Sequence, residues 1–330
     1  MSNTQNTKTV LFAPLNWGLG HASRIIPIIK KYQKENWNII LASDGLAYSF
    51  LQREFPSIPI INIGNKELKY SKKASFFLHL RHLLIPFLQG IKNEHQVLQG
   101  ILQQNKIDLI ISDNRYGFWS KNTKSILLTH QLNLPIPFLK FLLQKPVQNK
   151  IASWINNFDE CWVVDSENNE FAGDLSRAIK CKTLLKYIGL QSRFEKVKTK
   201  TEIDYLIILS GLEPHRSLLE EKLQTVFAKS DKKIIMIGGS SKTNKNSKLQ
   251  YIPMANTQEL QDLLQKAKIV IARSGYSTIM DLIKMEKKAI LIPTPGQLEQ
   301  EYLAHLHKDK FDIILQKDIE KILTIRLENC

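Results

Sequence analysis

His21 closes the loop Asn16-Trp17-Gly18-Leu19-Gly20-His21, which follows the apolar run TVLFAP at 9–14 and precedes a helical pattern. An imidazole titrates near neutrality, so a histidine at such a turn is suited to general-base chemistry. Gly18 and Gly20 let the chain turn tightly and let a ligand approach the backbone with no Cβ in the way. The helix that follows offers its N-terminus to negative charge. A glycine-rich turn with a surface histidine is the plainer use of the same residues. The dinucleotide fingerprint GxGxxG is not met, because Ser23 or Arg24 stands where its third glycine belongs. Asp113, in Ser112-Asp113-Asn114-Arg115-Tyr116-Gly117, ends another apolar run. Its carboxylate suits either a turn or helix cap or the orienting of His21 for proton transfer.

The second half of the chain carries a different set. Ser210-Gly211-Leu212-Glu213-Pro214-His215-Arg216 is a strand-to-helix turn in which Pro214 suits the first helical position and Arg216 is within reach of a phosphate. Arg273-Ser274-Gly275-Tyr276-Ser277-Thr278 follows KIVIA and opens a helix that carries Asp281. Backbone amides at Ser274–Ser277 suit a phosphate at that helix N-terminus, with Arg216 or Arg273 assisting. Asp281, one turn further in, is placed to accept hydrogen bonds from ribose hydroxyls. The proline-rich turn from Pro293 then delivers Gln300 and Glu301, whose side chains suit the vicinal hydroxyls of a sugar. Each piece alone also reads as a cap or a turn. Their arrival in order at successive strand ends points to a nucleotide-sugar site.

These loops need strands and helices to hold them. TVLFAP (9–14), NIILAS (38–43), PIINIG (59–64), DLIISD (108–113), SILLTH (125–130) and CWVVDS (161–166) are apolar on both faces, as strands of a covered parallel sheet are. Helical patterns fill 22–35, 46–53, 75–104 and 138–157. The polar stretch QSRFEKVKTKT opens a linker at 191–203. The alternation then restarts, with strands at 204–210, 233–238, 249–254, 268–273, 289–294 and 311–316 and helices at 214–227, 257–265, 277–284 and 298–308; 240–248 reads as a solvated loop. The chain therefore predicts two Rossmann-like, doubly wound α/β domains, 1–190 and 204–330, with ligands expected in the cleft at the carboxyl ends of their strands.

Composition agrees with a globular protein: 330 residues, 43% hydrophobic and 23% charged. Three widely spaced cysteines, Cys161, Cys181 and Cys330, make neither a disulfide framework nor a thiolate zinc site, and fit a reducing cytoplasm. The N-terminus has no signal-peptide pattern, and no apolar run reaches membrane-spanning length. No HxxEH, DxD or Cys/His cluster asks for a metal, and none is expected, nor any cofactor beyond the donor substrate. The formal charge of +15 favours polyanionic partners or reflects a lysine-rich proteome. Few aromatics and no recognised motif argue against a nucleic-acid-binding protein, which stays the rival of a different class. An epimerase acting on a UDP-sugar is the rival on the same architecture.

At these residues the chain resembles the GT-B glycosyltransferases, and within them glycosyltransferase family 28. Gly18–His21 is similar to that family's glycine-rich loop ending in histidine, RSGYSTIMD at 273–281 to its RSGAxTxxE signature, and Pro293–Tyr302 to its proline-led segment ending in Gln-Gln-Tyr. The likeness follows chain order over nearly the whole length. It is specific in the second domain and loose in the first. It implies a UDP-sugar donor held mainly by the second domain and metal-independent, inverting transfer. It also places Asp281 at the ribose and Gln300 and Glu301 at the sugar. Glu301 departs from the family's Gln, and Leu212 stands where the family has a small polar residue.

Lipid-linked or cell-envelope acceptors are in keeping with that resemblance. The stretch Lys66–Arg81 carries five Lys/Arg and one acid before an apolar run to Leu88, and 132–145 adds a second apolar and basic stretch. Such patterns suit either the core sides of two helices or a shallow contact with an anionic leaflet. The expected location is the cytoplasm, with peripheral contact at the inner face of the membrane.

Overall fold

A strand covered on both faces must be apolar throughout, and TVLFAP forms β1 (Thr9–Pro14) with Val10–Ala13 fully buried. The computed structural model describes residues 7–64, 76–134, 140–211, 213–228, 230–238 and 249–328, with backbone alone at 76–85, 140–143 and 325–328. Leu212, the loop at 240–248 and the lysine-rich 66–75 lie outside the described residues.

The first sheet continues with β2 (Asn38–Ser43), β3 (Ile60–Asn62), β4 (Leu109–Asp113), β5 (Lys124–Thr129), β6 (Glu160–Val163) and β7 (Leu184–Tyr187). Among the described residues its order is β3-β2-β1-β4-β5-β6-β7, with every pairing parallel. Its helices are α1 (Gly20–Arg24), α2 (Ile26–Lys34), α3 (Gly45–Glu54), α4 (Phe76–Gln104) and α5 (Lys140–Ile155). The expected helix at 22–35 is thus two helices, with Ile25 between them and Pro27 in the first turn of α2. Proline has no N–H to give a continuing helix, so a helix start is where it fits. Strand β7 was not expected. LLKY is short, with Leu184 and Lys186 exposed, so no apolar run marks it.

The second sheet holds β8 (Ile203–Ile208), β9 (Ile234–Ile237), β10 (Gln250–Ile252), β11 (Ala267–Ala272), β12 (Lys288–Leu291) and β13 (Asp312–Ile313). Its order among the described residues is β10-β9-β8-β11-β12-β13, again all parallel. Its helices are α6 (His215–Phe227), α7 (Thr257–Lys266), α8 (Tyr276–Lys284), α9 (Leu298–Leu306) and the unforeseen α10 (Ile319–Glu328). Leu219, Leu223 and Phe227 of α6 and Ile319 and Leu323 of α10 share one buried cluster with Ile207, Met236, Ile271 and Ile290 from the strands. Each such side chain contributes about 1.5–3 kcal/mol by leaving water.

The chain divides into two compact units, residues 1–133 with 141–167 and 176–189, and residues 134–140 with 168–175 and 190–330. The polar stretch before β8 packs on the second unit. Phe194 is fully buried there, and Glu195 donates its N–H to Gln261 Oε1 at 2.9 Å.

Both sheets reverse their strand order once, between β1 and β4 in the first and between β8 and β11 in the second. At such a point the loops leaving two neighbouring strands run to opposite faces and open a crevice at the carboxyl ends. His21 follows β1 and Asp113 ends β4. Gly211 and the Arg273–Ser277 turn follow β8 and β11.

Candidate functional site

In the first unit β1 and β4 pair with Pro14 opposite Asp113, and Leu15 N–H bonds Asp113 O at 3.0 Å. The loop after β1 turns at Gly18, whose φ of +70° lies in the left-handed region. A Cβ there would touch nothing within 4 Å, so backbone conformation and not crowding calls for glycine. Gly20 opens α1, and the first helical turn points His21 and Arg24 back towards β4.

His21 Nδ1 lies 2.9 Å from Asp113 Oδ1. Arg24, three residues on, grips the same carboxylate with a two-pronged fork: Nε donates to Oδ2 at 2.8 Å and the terminal Nη2 donates to Oδ1. Its other terminal nitrogen lies 2.6 Å from Nδ1 of His130, just past β5. The Asp113 side chain is fully buried and that of His21 is 13% exposed. Burial alone pushes Asp113 upward. The Arg24 guanidinium and His21 outweigh it and hold the carboxyl at about 2. A carboxylate that accepts from Nδ1–H leaves Nε2 of a neutral His21 bare, and a bare, partly exposed Nε2 is a proton acceptor.

A second charged cluster braces this end of the sheet. Buried Arg115 donates to Glu94 Oε1 and Asp44 Oδ1 at 2.9 Å each and to Pro14 O at 3.0 Å. Glu94 takes the Gly117 N–H at 3.2 Å, and burial pushes its carboxyl up. The cluster thereby ties α4 and the ends of β1 and β2 to the loop after β4.

The second unit uses its polar side chains on the backbone. Arg273 is buried and spends its terminal nitrogens on the carbonyls of Ile292, Pro293 and His215, at 3.2, 3.3 and 2.8 Å. Burial lowers it to about 10. It ties the turn after β11 to that after β12 and to the start of α6, and does not present its charge to a phosphate. Arg216 bonds Glu213 in its own turn. Ser274 Oγ donates to Gln300 O at 2.8 Å, Gln300 Oε1 accepts from Thr294 N at 2.9 Å, and Glu301 Oε1 accepts from Gly296 N at 2.8 Å. So Ser274, Gln300 and Glu301 come together, but as the staples of two turns.

Two glycines lie in the turns after β8 and β11. Gly275 caps α8 with no side-chain hydrogen bond to the helix, and Gly211, at a φ of +100°, has open space where a Cβ would be. Ser277 stands in the first turn of α8, and Asp281 one turn on accepts from Ser192 Oγ at 2.6 Å. Burial, against the pull of Arg193 and the Ser192 hydroxyl, pushes Asp281 up to about 6. Among the described residues no group of three or more His, Cys, Asp or Glu is arranged to hold a metal ion, and no helix is long and apolar enough to cross a membrane.

Arg24, His130, Asp44, Glu94 and Arg115 were not expected in the site, nor were Ser192 and Arg193 beside Asp281. For Arg24 a signal existed, since residues three apart share a helix face with His21.

Residues 212–324 match the glycosyltransferase family 28 C-terminal domain. Over 318 residues the chain is 24% identical to the UDP-N-acetylglucosamine–N-acetylmuramyl-(pentapeptide) pyrophosphoryl-undecaprenol N-acetylglucosamine transferase of Prochlorococcus marinus (strain MIT 9312), covering 92% of this chain and 78% of that protein. The transferase of the same name from Streptococcus agalactiae serotype Ia is 22% identical over 282 residues, or 83% and 74% of the two chains. Among solved structures, the calicheamicin glycosyltransferase CalG4 superimposes with a TM-score of 0.65 at 11% identity, over 98% of this chain and 90% of that one. MurG of Acinetobacter baumannii does so at 0.53 and 12% identity, over 98% and 91%. The structural likeness establishes the GT-B fold. With that fold in its two parallel sheets and a family 28 domain over most of the second, this protein is a family 28-like glycosyltransferase.

Proposed function

We propose that the enzyme takes its sugar from a UDP-sugar and transfers it, with inversion and without a metal ion, to a hydroxyl of a lipid-linked cell-envelope acceptor. The observation that carries the transfer chemistry is the 2.9 Å contact between His21 Nδ1 and Asp113. It leaves Nε2 to take the acceptor proton while Asp113 stabilises the imidazolium that forms. The donor assignment is supported by the family 28 domain at 212–324 and by relatives whose names specify UDP-N-acetylglucosamine. Their pyrophosphoryl-undecaprenol acceptor supports the lipid-linked class, and work at the inner face of the membrane goes with it.

In this reading the departing diphosphate meets the amides of Ser274–Ser277 and Arg216, while Arg273 fixes the turn that presents them. Preorganised donors of that kind are worth several kcal/mol in a transition state, about 3–4 for one well-placed group. Asp281 accepts from the ribose, and Gln300 and Glu301 shape the sugar pocket. Catalysis so distributed needs neither metal nor organic cofactor, and no nucleic-acid partner.

A thermal-shift panel of UDP-, GDP-, dTDP- and ADP-sugars tests the donor. A ligand that binds only the folded state adds about 2.7 kcal/mol at a hundredfold excess over Kd, so UDP-sugars should raise Tm and the others should not. A shift with another nucleotide and none with UDP overturns the assignment. Conversion of the donor with no acceptor present replaces transfer by epimerisation.

A further inference from the structure

We propose that Arg24 is a positioning residue of the His21–Asp113 pair, a guanidinium that locks the carboxylate's orientation and offsets its charge so that His21 rests as the neutral base with Nε2 bare. The catalytic meaning rests on the base role of His21 given above, but the arrangement is a property of the first domain and is testable without donor or acceptor.

The argument starts from donors and acceptors. A guanidinium has five N–H donors and no lone pair to accept with. Arg24 lies 2.6 Å from Nδ1 of His130, so that nitrogen is bare and His130, itself buried, is the neutral Nε2–H tautomer. Arg24 Nε and Nη2 donate to the two oxygens of Asp113, which is a bidentate pairing with a fixed plane. With that plane fixed, Oδ1 faces His21 Nδ1, and the proton between them belongs on the histidine. The chain from His130 through Arg24 and Asp113 to His21 therefore has one consistent direction of donation, and its open end is Nε2 of His21.

Charge gives the second half. A lone buried carboxylate beside an imidazole favours the imidazolium, which has no lone pair to offer as a base. Here the same carboxylate already faces a permanent cation. Asp113 and Arg24 bring one negative and one positive charge to this chain before His21 takes any proton, and the Tyr116 phenol near Arg24 is pushed up by burial and stays neutral. Asp113 thus directs the imidazole without saturating it. Arg24 and His21 sit three apart in α1, so a single helical turn delivers base and counter-charge together.

Histidine-labelled nitrogen NMR on the full chain reads this directly. In the parent, His21 should show a protonated Nδ1 and a bare Nε2, and His130 the opposite. In Arg24→Gln the His21–Asp113 pair should take up its proton about one pH unit higher, because the offsetting charge is gone. Arg24→Lys, which keeps the charge and loses the fork, should return the midpoint towards the parent while exchange broadening at His21 reports a looser ring. A merely structural arginine would move stability but not the midpoint. A protonated Nδ1 on His130 in the parent overturns the inference, and so does an unmoved midpoint in folded Arg24→Gln. Should Arg24→Gln fail to fold, the parent tautomers and the Arg24→Lys titration decide alone. Confirmed tautomers together with wild-type turnover in His21→Ala would leave the arrangement standing and sink the base role instead.

Discussion

Two aspartates, one ending β4 and one within α8 after β11, are held in opposite ways. Asp113 is fully buried, yet Arg24 and His21 keep its carboxyl at about 2. Asp281 has a hydroxyl from Ser192 as its hydrogen-bond donor, and burial lifts it to about 6. Burial acts upward on both, and the fork of an arginine decides the sign. The contrast extends to the surroundings. In the first domain Arg24 and Arg115 are spent on carboxylates, while in the second Arg273 is spent on backbone carbonyls. The first region is built to fix charge and protons. The second fixes the shape of turns.

The largest effect expected from that difference is on stability. Arg115→Met leaves Glu94 and Asp44 facing each other without their cation and should cost about 3–5 kcal/mol in denaturant unfolding of the first domain. Arg273→Met, which strands only neutral carbonyls, should cost about 1–3 kcal/mol. Equal costs would erase the distinction between the two regions.

Next comes turnover. His21→Ala should slow transfer by roughly 10²–10⁴-fold, the range for a positioned general base, in an assay of UDP release with acceptor. Near-parental turnover removes His21 from that role.

The two aspartates also predict opposite pH responses. The Asp113 carboxyl is depressed, so its contribution to stability is present above 3.8 and is lost as pH falls towards 2. The Asp281 carboxyl is raised, so its contribution is present below 3.8 and is lost as pH rises through about 6. Asp281→Asn should flatten the stability curve between those two values. UDP affinity should fall as pH drops below about 6, since the protonated carboxyl accepts poorly. A pH-independent affinity would place the ribose elsewhere.

The smallest effect concerns the membrane. The parent should sediment with anionic vesicles at low salt and release as salt rises, and Lys69→Glu, Lys72→Glu and Lys73→Glu combined should abolish it. Equal sedimentation of the triple variant would make a water-soluble acceptor the better assignment.

Much of this was legible in the sequence because two-sided apolar runs mark parallel strands and a reversal of strand order brings particular loops together. His21 follows one such run and Asp113, 92 residues away, ends another, which leaves Asp113 open to either a cap or the orienting of His21; the 2.9 Å contact selects the second. What the sequence hid was side-chain direction at strand ends. Arg273 looked like a phosphate ligand in its signature, yet it points into the domain and braces three carbonyls. Arg24 enters the sequence reading only as a residue that breaks the dinucleotide fingerprint, yet its side chain is buried against Asp113. A single arginine carries no mark of which way it faces. Strand β7 and helix α10 escaped for the opposite reason: each is short or half-exposed, so its periodicity is weak.

The most direct test of the division between proton handling and donor binding is calorimetric titration of UDP into three proteins side by side. The parent should bind UDP, His21→Ala should bind it equally well, and Asp281→Ala should bind it more weakly by about 1–3 kcal/mol, the scale of a charge-assisted hydrogen bond. Weakened binding in His21→Ala with parental affinity in folded Asp281→Ala would contradict the account.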